Sequence, residues 1–229
     1  MYEVVWFARL RRDRAREDMR RYWTETHGAL GLRVAELRSY VQNHVVAGTR
    51  GGDARDVPFD GYSVHEYDDR SSFEAALASP IFAEIVEDGA NVFEMESMDG
   101  MSAALERRVI RDGPRSPCKA VFLAKFRGDL ARQEAAAHWR DVHGPLALEV
   151  PGIDRYVQHV AVAAIDGGGA TDALPRFDGF SECWFADAGA FERAVASPEW
   201  ARLAADGANF MDVDALRGMS ALVEERVIC

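Results

Sequence analysis

Two histidines, His27 and His143, each stand four residues after a tryptophan and directly before a glycine, in YWTETHGAL (22–30) and HWRDVHGPL (138–146). Histidine has an ordinary pKa of about 6.5, so it can take and give protons near neutrality. Such a pair could enolise a carbonyl compound or eliminate water from one by general acid–base catalysis. The architectural alternative is a histidine at a helix C-terminus, interacting with the last carbonyls and the helix dipole. The four-residue spacing puts Trp23 on the helix face of His27 and Trp139 on that of His143, where each indole could wall a bound molecule.

A second polar set alternates along a predicted strand. Tyr40, Gln42 and His44 share one face; Tyr156 and Gln158 repeat the first two, and Val160 replaces the histidine. A tyrosine hydroxyl could hydrogen-bond a substrate carbonyl and stabilise an enolate, or pack with its hydroxyl satisfied locally. This polar face is expected to look into the interior of the molecule, with Val41, Val45 and Ala47 turned to the helices. His159 then has the helix-facing parity. Glu182 stands where the first half has Val64, a carboxylate able to orient a histidine, and His65 and Glu66 point to opposite faces of their strand. Asp60-Gly61 and Asp178-Gly179 read as turn chemistry, with Asp bonding its own backbone. Met95, Met98, Met101, Met211 and Met219 read as soft core filler. A metal site from His27, His44 and His143 has no ligand spacing on one element behind it. GGDARD and DGGGATD lack the strand–glycine–helix context of a phosphate cradle. No metal and no cofactor is therefore expected.

These residues belong to an internal repeat. Trp23, His27, Gly28, Leu30, Tyr40, Val41 and Gln42 recur 116 positions later; FDGYS returns as FDGFS, and Ser79-Pro80, DGAN (88–91), GMSA and RVI recur, at an offset of 118. Conserved order and spacing mark a duplication. The two extra residues fall in a glycine-rich loop between Gln42 and Phe59 or its counterpart, where insertions cost little. Residues 1–110 and 119–229 form the two halves, and RDGPRSPC (111–118), with two prolines and a glycine, is the linker. Each half reads as βαββαβ. Residues 2–9 form a strand, and 13–27 an amphipathic helix that Gly28 is placed to end. Strands follow at 39–48 and 61–67, then a helix opened by Ser71 with Glu74 at capping-box spacing. That helix is broken at Ser79-Pro80 and followed by a further helical turn. The last strand is either 92–96 or 105–110. This order describes a ferredoxin-like unit, which leaves one sheet face bare. Two units packing sheet on sheet cover it, giving an α+β barrel within one chain, helices outside, with a lumen as the natural small-molecule pocket.

The 229 residues carry 27 Lys+Arg against 38 Asp+Glu, a net charge of -11 that disfavours nucleic acid and anionic membrane as partners. Three scattered cysteines fit a reducing, cytoplasmic setting rather than a disulfide framework. Neither a signal peptide nor a membrane span is expected.

W-x-x-x-H-G-[PA]-L, the strand R-x-Y-V-Q, F-D-G and the later S-P together resemble the EthD family of dimeric α+β barrel proteins over both halves. The second half is nearer the family pattern, with HGPL and SECWF; in the first, Ala29 replaces the proline and SVHEY replaces SECWF. The resemblance implies the barrel fold and a loose class of cofactor-free dehydratases, cyclases and isomerases. Related barrels also include cofactor-free oxygenases and haem binders, so the fold alone does not fix the reaction. The expectation is a cofactor-independent lyase or isomerase of dehydratase type acting on a small hydrophobic carbonyl or aromatic metabolite. His27 and His143 would be acid and base. Tyr40, Tyr156 and His44 would polarise the substrate, with Trp23, Trp139, Gln42, Gln158, Glu182 and His65 around it. A cofactor-free monooxygenase on a phenol, and a non-catalytic barrel carrying a small molecule or haem, are the alternatives. Duplication removes the need for a homodimer without forbidding one.

Overall fold

The computed structural model describes residues 1–49, 53–54, 57–166, 169–215 and 218–229, the side chains of Ser97 and Met98 excepted. Most of GGDARD and two glycines of DGGGATD lie outside the described residues. The first half runs β1 (Tyr2–Ala8), α1 (Arg16–Tyr22), a π-helical turn (Trp23–His27), α2 (Gly28–Gly31), β2 (Leu37–Gly48), β3 (Gly61–Tyr67), α3 (Arg70–Leu77), α4 (Pro80–Val92) and β4 (Ser102–Arg111). The second repeats it as β5 (Cys118–Ala124), α5 (Arg132–His138), a π-helical turn (Trp139–His143), α6 (Gly144–Glu149), β6 (Arg155–Asp166), the short β7 (Gly169–Ala170), β8 (Gly179–Phe185), α7 (Ala188–Val195), α8 (Pro198–Gly207) and β9 (Ser220–Val227). The strands are ordered β4-β1-β3-β2-β9-β5-β8-β6-β7, and β4 also pairs with β6. All pairings are antiparallel, and β2–β9 and β4–β6 are the seams that join the halves into a closed eight-stranded barrel. Closure leaves neither half with an open sheet edge at these seams. The last strand of the first half is therefore the 105–110 alternative, extended to Ser102–Arg111.

Three local expectations are corrected. Gly28 does not end the first helix, which runs on through the π turn into α2. Asp69, not Ser71, caps α3, its carboxylate accepting from the Ser72 amide. Ser79 starts a full 13-residue helix rather than a single turn, capping it with its hydroxyl while Pro80 takes the first-turn position. Asp60 and Asp178 are also more than turn residues. Asp60 accepts from the Leu10 amide and pairs with Arg16, while Asp178 accepts from the Phe126 amide and pairs with Arg132, so each pins the first helix of its half to the sheet.

Inside the barrel, Val5, Phe7, Tyr62, Leu105, Val121, Leu123, Phe180 and Val223 from both halves form one cluster. Beside it lies a polar network. His159 sits between Glu3 (2.6 Å) and Glu182 (3.2 Å), and Lys119 reaches Glu182, Glu225 and Asn43 at 2.6, 2.7 and 2.7 Å. The Tyr62 hydroxyl donates to Glu182 at 2.6 Å. These side chains leave a space of only about 40 Å3 beside the network, not the open pocket expected.

The facing of β2 and β6 is reversed from expectation. Tyr40, Gln42 and His44 turn to the helices, and His159 turns into the lumen. Gln42 explains the reversal, because its side-chain amide donates to the Trp23 carbonyl at 3.0 Å and to the Tyr40 hydroxyl at 2.7 Å. Gln158 repeats this with Trp139 and Tyr156. In each π turn the same tryptophan carbonyl accepts the amide of the glycine five residues on. The glutamine thus supplies a second donor where the wider turn departs from the α-helical ladder, and such turns recur at functional sites.

The F-D-G glycines serve the same layer. A Cβ on Gly179 would lie 2.3 Å from the His159 carbonyl and 2.7 Å from the Trp139 ring; Gly61 has the same relation to Asn43 and Trp23. Only a hydrogen there lets the indole lie on the sheet. Gly179→Ala is expected to lower stability by about 1–3 kcal/mol through overpacking, measured as a drop in the denaturant midpoint at unchanged slope. An unchanged midpoint contradicts this contact.

Candidate active site

Below the sheet of the second half, between β5, β6, β8 and the helices, is a cavity of about 290 Å3. Its walls are Phe122, Trp139, Tyr156, Phe191, Trp200 and Leu203; its polar groups are His143, Tyr156, Ser181, Cys183, Thr49 and Ser220. Among the described lining residues Thr49 alone comes from the first half, and none is Asp, Glu, Lys or Arg. A charge set against these residues would lose its hydration without gaining a counter-ion from them.

His143 is the group on this wall able to exchange protons at neutral pH. Its Nδ1 lies 2.9 Å from Asp206 on α8, which leaves Nε2 as its free ring nitrogen. Burial pushes its pKa below the usual histidine value, and Asp206 offsets part of that. At pH 7 it is therefore neutral, the state of a base. Burial raises the pKa of Asp206, but side-chain donation from Asn209, His138 and His143 outweighs it and holds the group ionised. The carboxylate fixes the tautomer, with Nδ1 protonated and Nε2 the acceptor. The edge of Phe210 packs on the ring at 5.1 Å. Tyr156 accepts from Gln158 at 3.1 Å, so its own proton is left to donate, and burial keeps that phenol protonated. The Cys183 thiol is likewise held protonated by burial.

The first half has the same dyad without this cavity wall. His27 Nδ1 is 2.8 Å from Asp88, which also accepts from the Tyr22 hydroxyl at 2.6 Å. Where the second half has Cys183, Phe122 and Ala204, the first has His65, Trp6 and Val86, each bulkier. The His65 ring lies 4.4 Å from that of Tyr40, and burial drives its pKa down to about 3 and leaves it neutral. His44 packs against Trp23 at 4.6 Å and bonds Gln42 at 3.0 Å; burial, with nearby arginines, also takes it to about 3. Burial raises Tyr40 to about 12.

Of the residues singled out from sequence, His143, Tyr156 and Trp139 thus come together around one cavity, with Gln158 behind the tyrosine. His27, Trp23, Tyr40, Gln42, His44 and His65 form a separate cluster in the other half, so the two helix-end histidines do not share a chamber. Glu182 is in the lumen. It does hold a histidine, but that histidine is His159. Asp88 and Asp206 escaped the reading although DGAN recurs in both halves. The repeated aspartate was the signal.

A model of the EthD domain matches residues 11–96 and again 127–214. Among solved structures, an anthrone oxidase-like protein aligns over 99% of this chain and 92% of its own, with 12% identity and a TM-score of 0.57. A provisionally assigned monooxygenase from Fusobacterium nucleatum aligns over 100% and 92%, with 8% identity and a TM-score of 0.54. An EthD family protein from Bacillus halodurans covers 48% of this chain and 95% of its own at 18% identity, with a TM-score of 0.36. No curated protein matches the chain significantly. Among the described residues no helix is long and apolar enough to cross a membrane, and no group of three metal-ligating side chains is present.

Proposed function

The chain belongs to the EthD domain family, carrying the domain twice, and from that premise we propose that its second half is a cofactor-independent lyase or isomerase of dehydratase type. The observation that carries this reading is a neutral histidine, oriented by a buried carboxylate, on the wall of an aromatic-lined cavity. His143 Nε2 takes a proton from the carbon next to a substrate carbonyl. Tyr156 donates to the carbonyl oxygen as it gains enolate charge, a stabilisation strongest in a dry site. The imidazolium is held by Asp206. If a hydroxyl stands one carbon further on, the enolate expels it and His143 returns its proton to it, releasing water. If a carbon–carbon double bond begins there instead, return of the proton to its far end isomerises the substrate.

Enolisation is tested by incubating hydrophobic cyclic ketones with the protein in D2O. Enzyme-dependent deuterium uptake beside the carbonyl is expected. Its absence across ketones that bind, shown by quenching of tryptophan fluorescence, sinks the reading. Oxygenation of a phenol is the second reading, supported by the likeness to the anthrone oxidase-like protein. There the same base removes a phenolic proton and the electron-rich anion meets O2. Oxygen consumption stoichiometric with substrate, without added metal or flavin, separates it from the first. A carrier would return its ligand unchanged in both assays. His27, Tyr40 and His44 have no part in any of these steps.

A further inference from the structure

Asp206 has a second imidazole on it. His138, one helical turn before His143, places Nε2 2.9 Å from Oδ1, while His143 Nδ1 takes Oδ2 at 2.9 Å. Asn209 donates to Oδ1 at 3.0 Å. The side chain of His138 is 27% exposed and that of His143 11%, so one ring meets solvent and the other the cavity. In the first half the corresponding position is Tyr22, which donates to Asp88 at 2.6 Å. The half with the aromatic cavity thus has an imidazole where the other has a phenol, which its hydrogen bond to Asp88, and then burial, keep protonated.

We propose that His138 is a positioning residue for the base, holding Asp206 on His143 and competing with it for the single negative charge between them. This rests on the functional reading above only in calling His143 the base. One carboxylate stabilises one adjacent imidazolium well and two poorly. While His138 is neutral, its Nε2–H anchors Oδ1 and Asp206 is free to hold a cationic His143. When solvent protonates His138, the carboxylate is already neutralised and His143 loses basicity. Among the described residues, the ionisable groups facing His143 are Asp206 from α8, His138 from its own helix, and Tyr156 and Cys183 from the sheet. The Arg140–Asp141 pair on the same turn is exposed and closed on itself. Burial keeps the two sheet groups neutral, so among the described residues the competition lies between the two histidines.

The experiment is an 15N NMR titration of the histidines in the full chain, comparing wild type with His138→Tyr and His138→Phe. His138→Tyr copies the first half, keeping a donor to Asp206 and removing the competing charge. His143 is expected to hold its Nδ1–H tautomer and to titrate in a single step, raised by roughly one pH unit for the loss of a neighbouring cation. His138→Phe removes the donor as well, and the Nδ1–H resonance should broaden or exchange faster. A His143 curve in His138→Tyr that superimposes on wild type overturns the proposal, as does an unaltered tautomer signal in His138→Phe. This readout needs no substrate, so a failure of the lyase reading leaves it intact and separately decidable.

Discussion

His143→Ala is expected to lower turnover by about 10²–10⁴-fold, the usual range for a lost general base, while His27→Ala leaves it unchanged. The two substitutions remove equivalent residues of a duplicated helix, so folding effects should match far better than catalytic ones. Both histidines bond an aspartate through Nδ1, at 2.8 Å in the first half and 2.9 Å in the second. The difference lies on the other side of the ring, where only His143 lines the aromatic cavity. Asp206→Asn should fall between, since an amide can hold the ring but cannot stabilise an imidazolium. Rates would be taken on a ketone that exchanges deuterium, with thermal melts as the control. Equal losses for His143→Ala and His27→Ala would end the assignment of the base to one half. A fully active His143→Ala would end it altogether.

The expectation that both histidines share a chamber failed for a reason visible in β2. The duplication, the strand and helix order and the barrel followed from repeated motifs and from a sheet face that had to be covered. Facing did not, because in a closed barrel with helices outside both faces of each strand are buried. Period-two alternation separates faces without saying which is interior. Polar residues occupy both sides: Gln42 and His44 under the helix, Asn43 in the lumen, all fully buried. Assigning the polar face to a ligand chamber overlooked another need for polarity, the carbonyl exposed by a π turn. That turn has no rule in composition or hydrophobic period, so Gln42 and Gln158 read as ligand contacts although they hold a helix. The asymmetry between halves was legible. Which half carries the cavity did not follow from it: His44 and His65 pack against Trp23 and Tyr40 in the first half, and the cavity described lies in the second.

Loss of the lumen network should show as the largest stability effect in the molecule. His159→Phe keeps a flat ring stacked on Phe180, whose centroid lies 4.4 Å away at 10°, but removes the charge between Glu3 and Glu182. Breaking a buried ion pair by deleting one partner costs about 3–5 kcal/mol, because the remaining charge stays desolvated. Arg107 beside Glu3 and Lys119 beside Glu182 place the expected loss near the lower end. The pH dependence distinguishes this from lost packing. Burial alone lowers the pKa of His159, but Glu3 and Glu182 outweigh it and raise it to about 9 from 6.5. A base whose folded pKa is raised contributes stability in full below its unfolded value and loses it as pH rises through the folded one. The wild-type advantage over His159→Phe should thus be flat below pH 6.5 and shrink between 6.5 and about 9. Glu182 works from the acid side. Burial raises its pKa, but Lys119 and His159 outweigh that and hold it below the ordinary 4.5, so its contribution fades as pH falls. His44 and His65, both driven down to about 3, lose stability from pH 6.5 downward because the unfolded chain takes the protons they refuse. Urea midpoints across pH 3–10 measure all of this. Since Glu3 comes from the first half and His159 and Glu182 from the second, the network acts across the seam of the duplication. A gap between wild type and His159→Phe that stays constant to pH 10 would mean that shape, and not charge, joins the halves there.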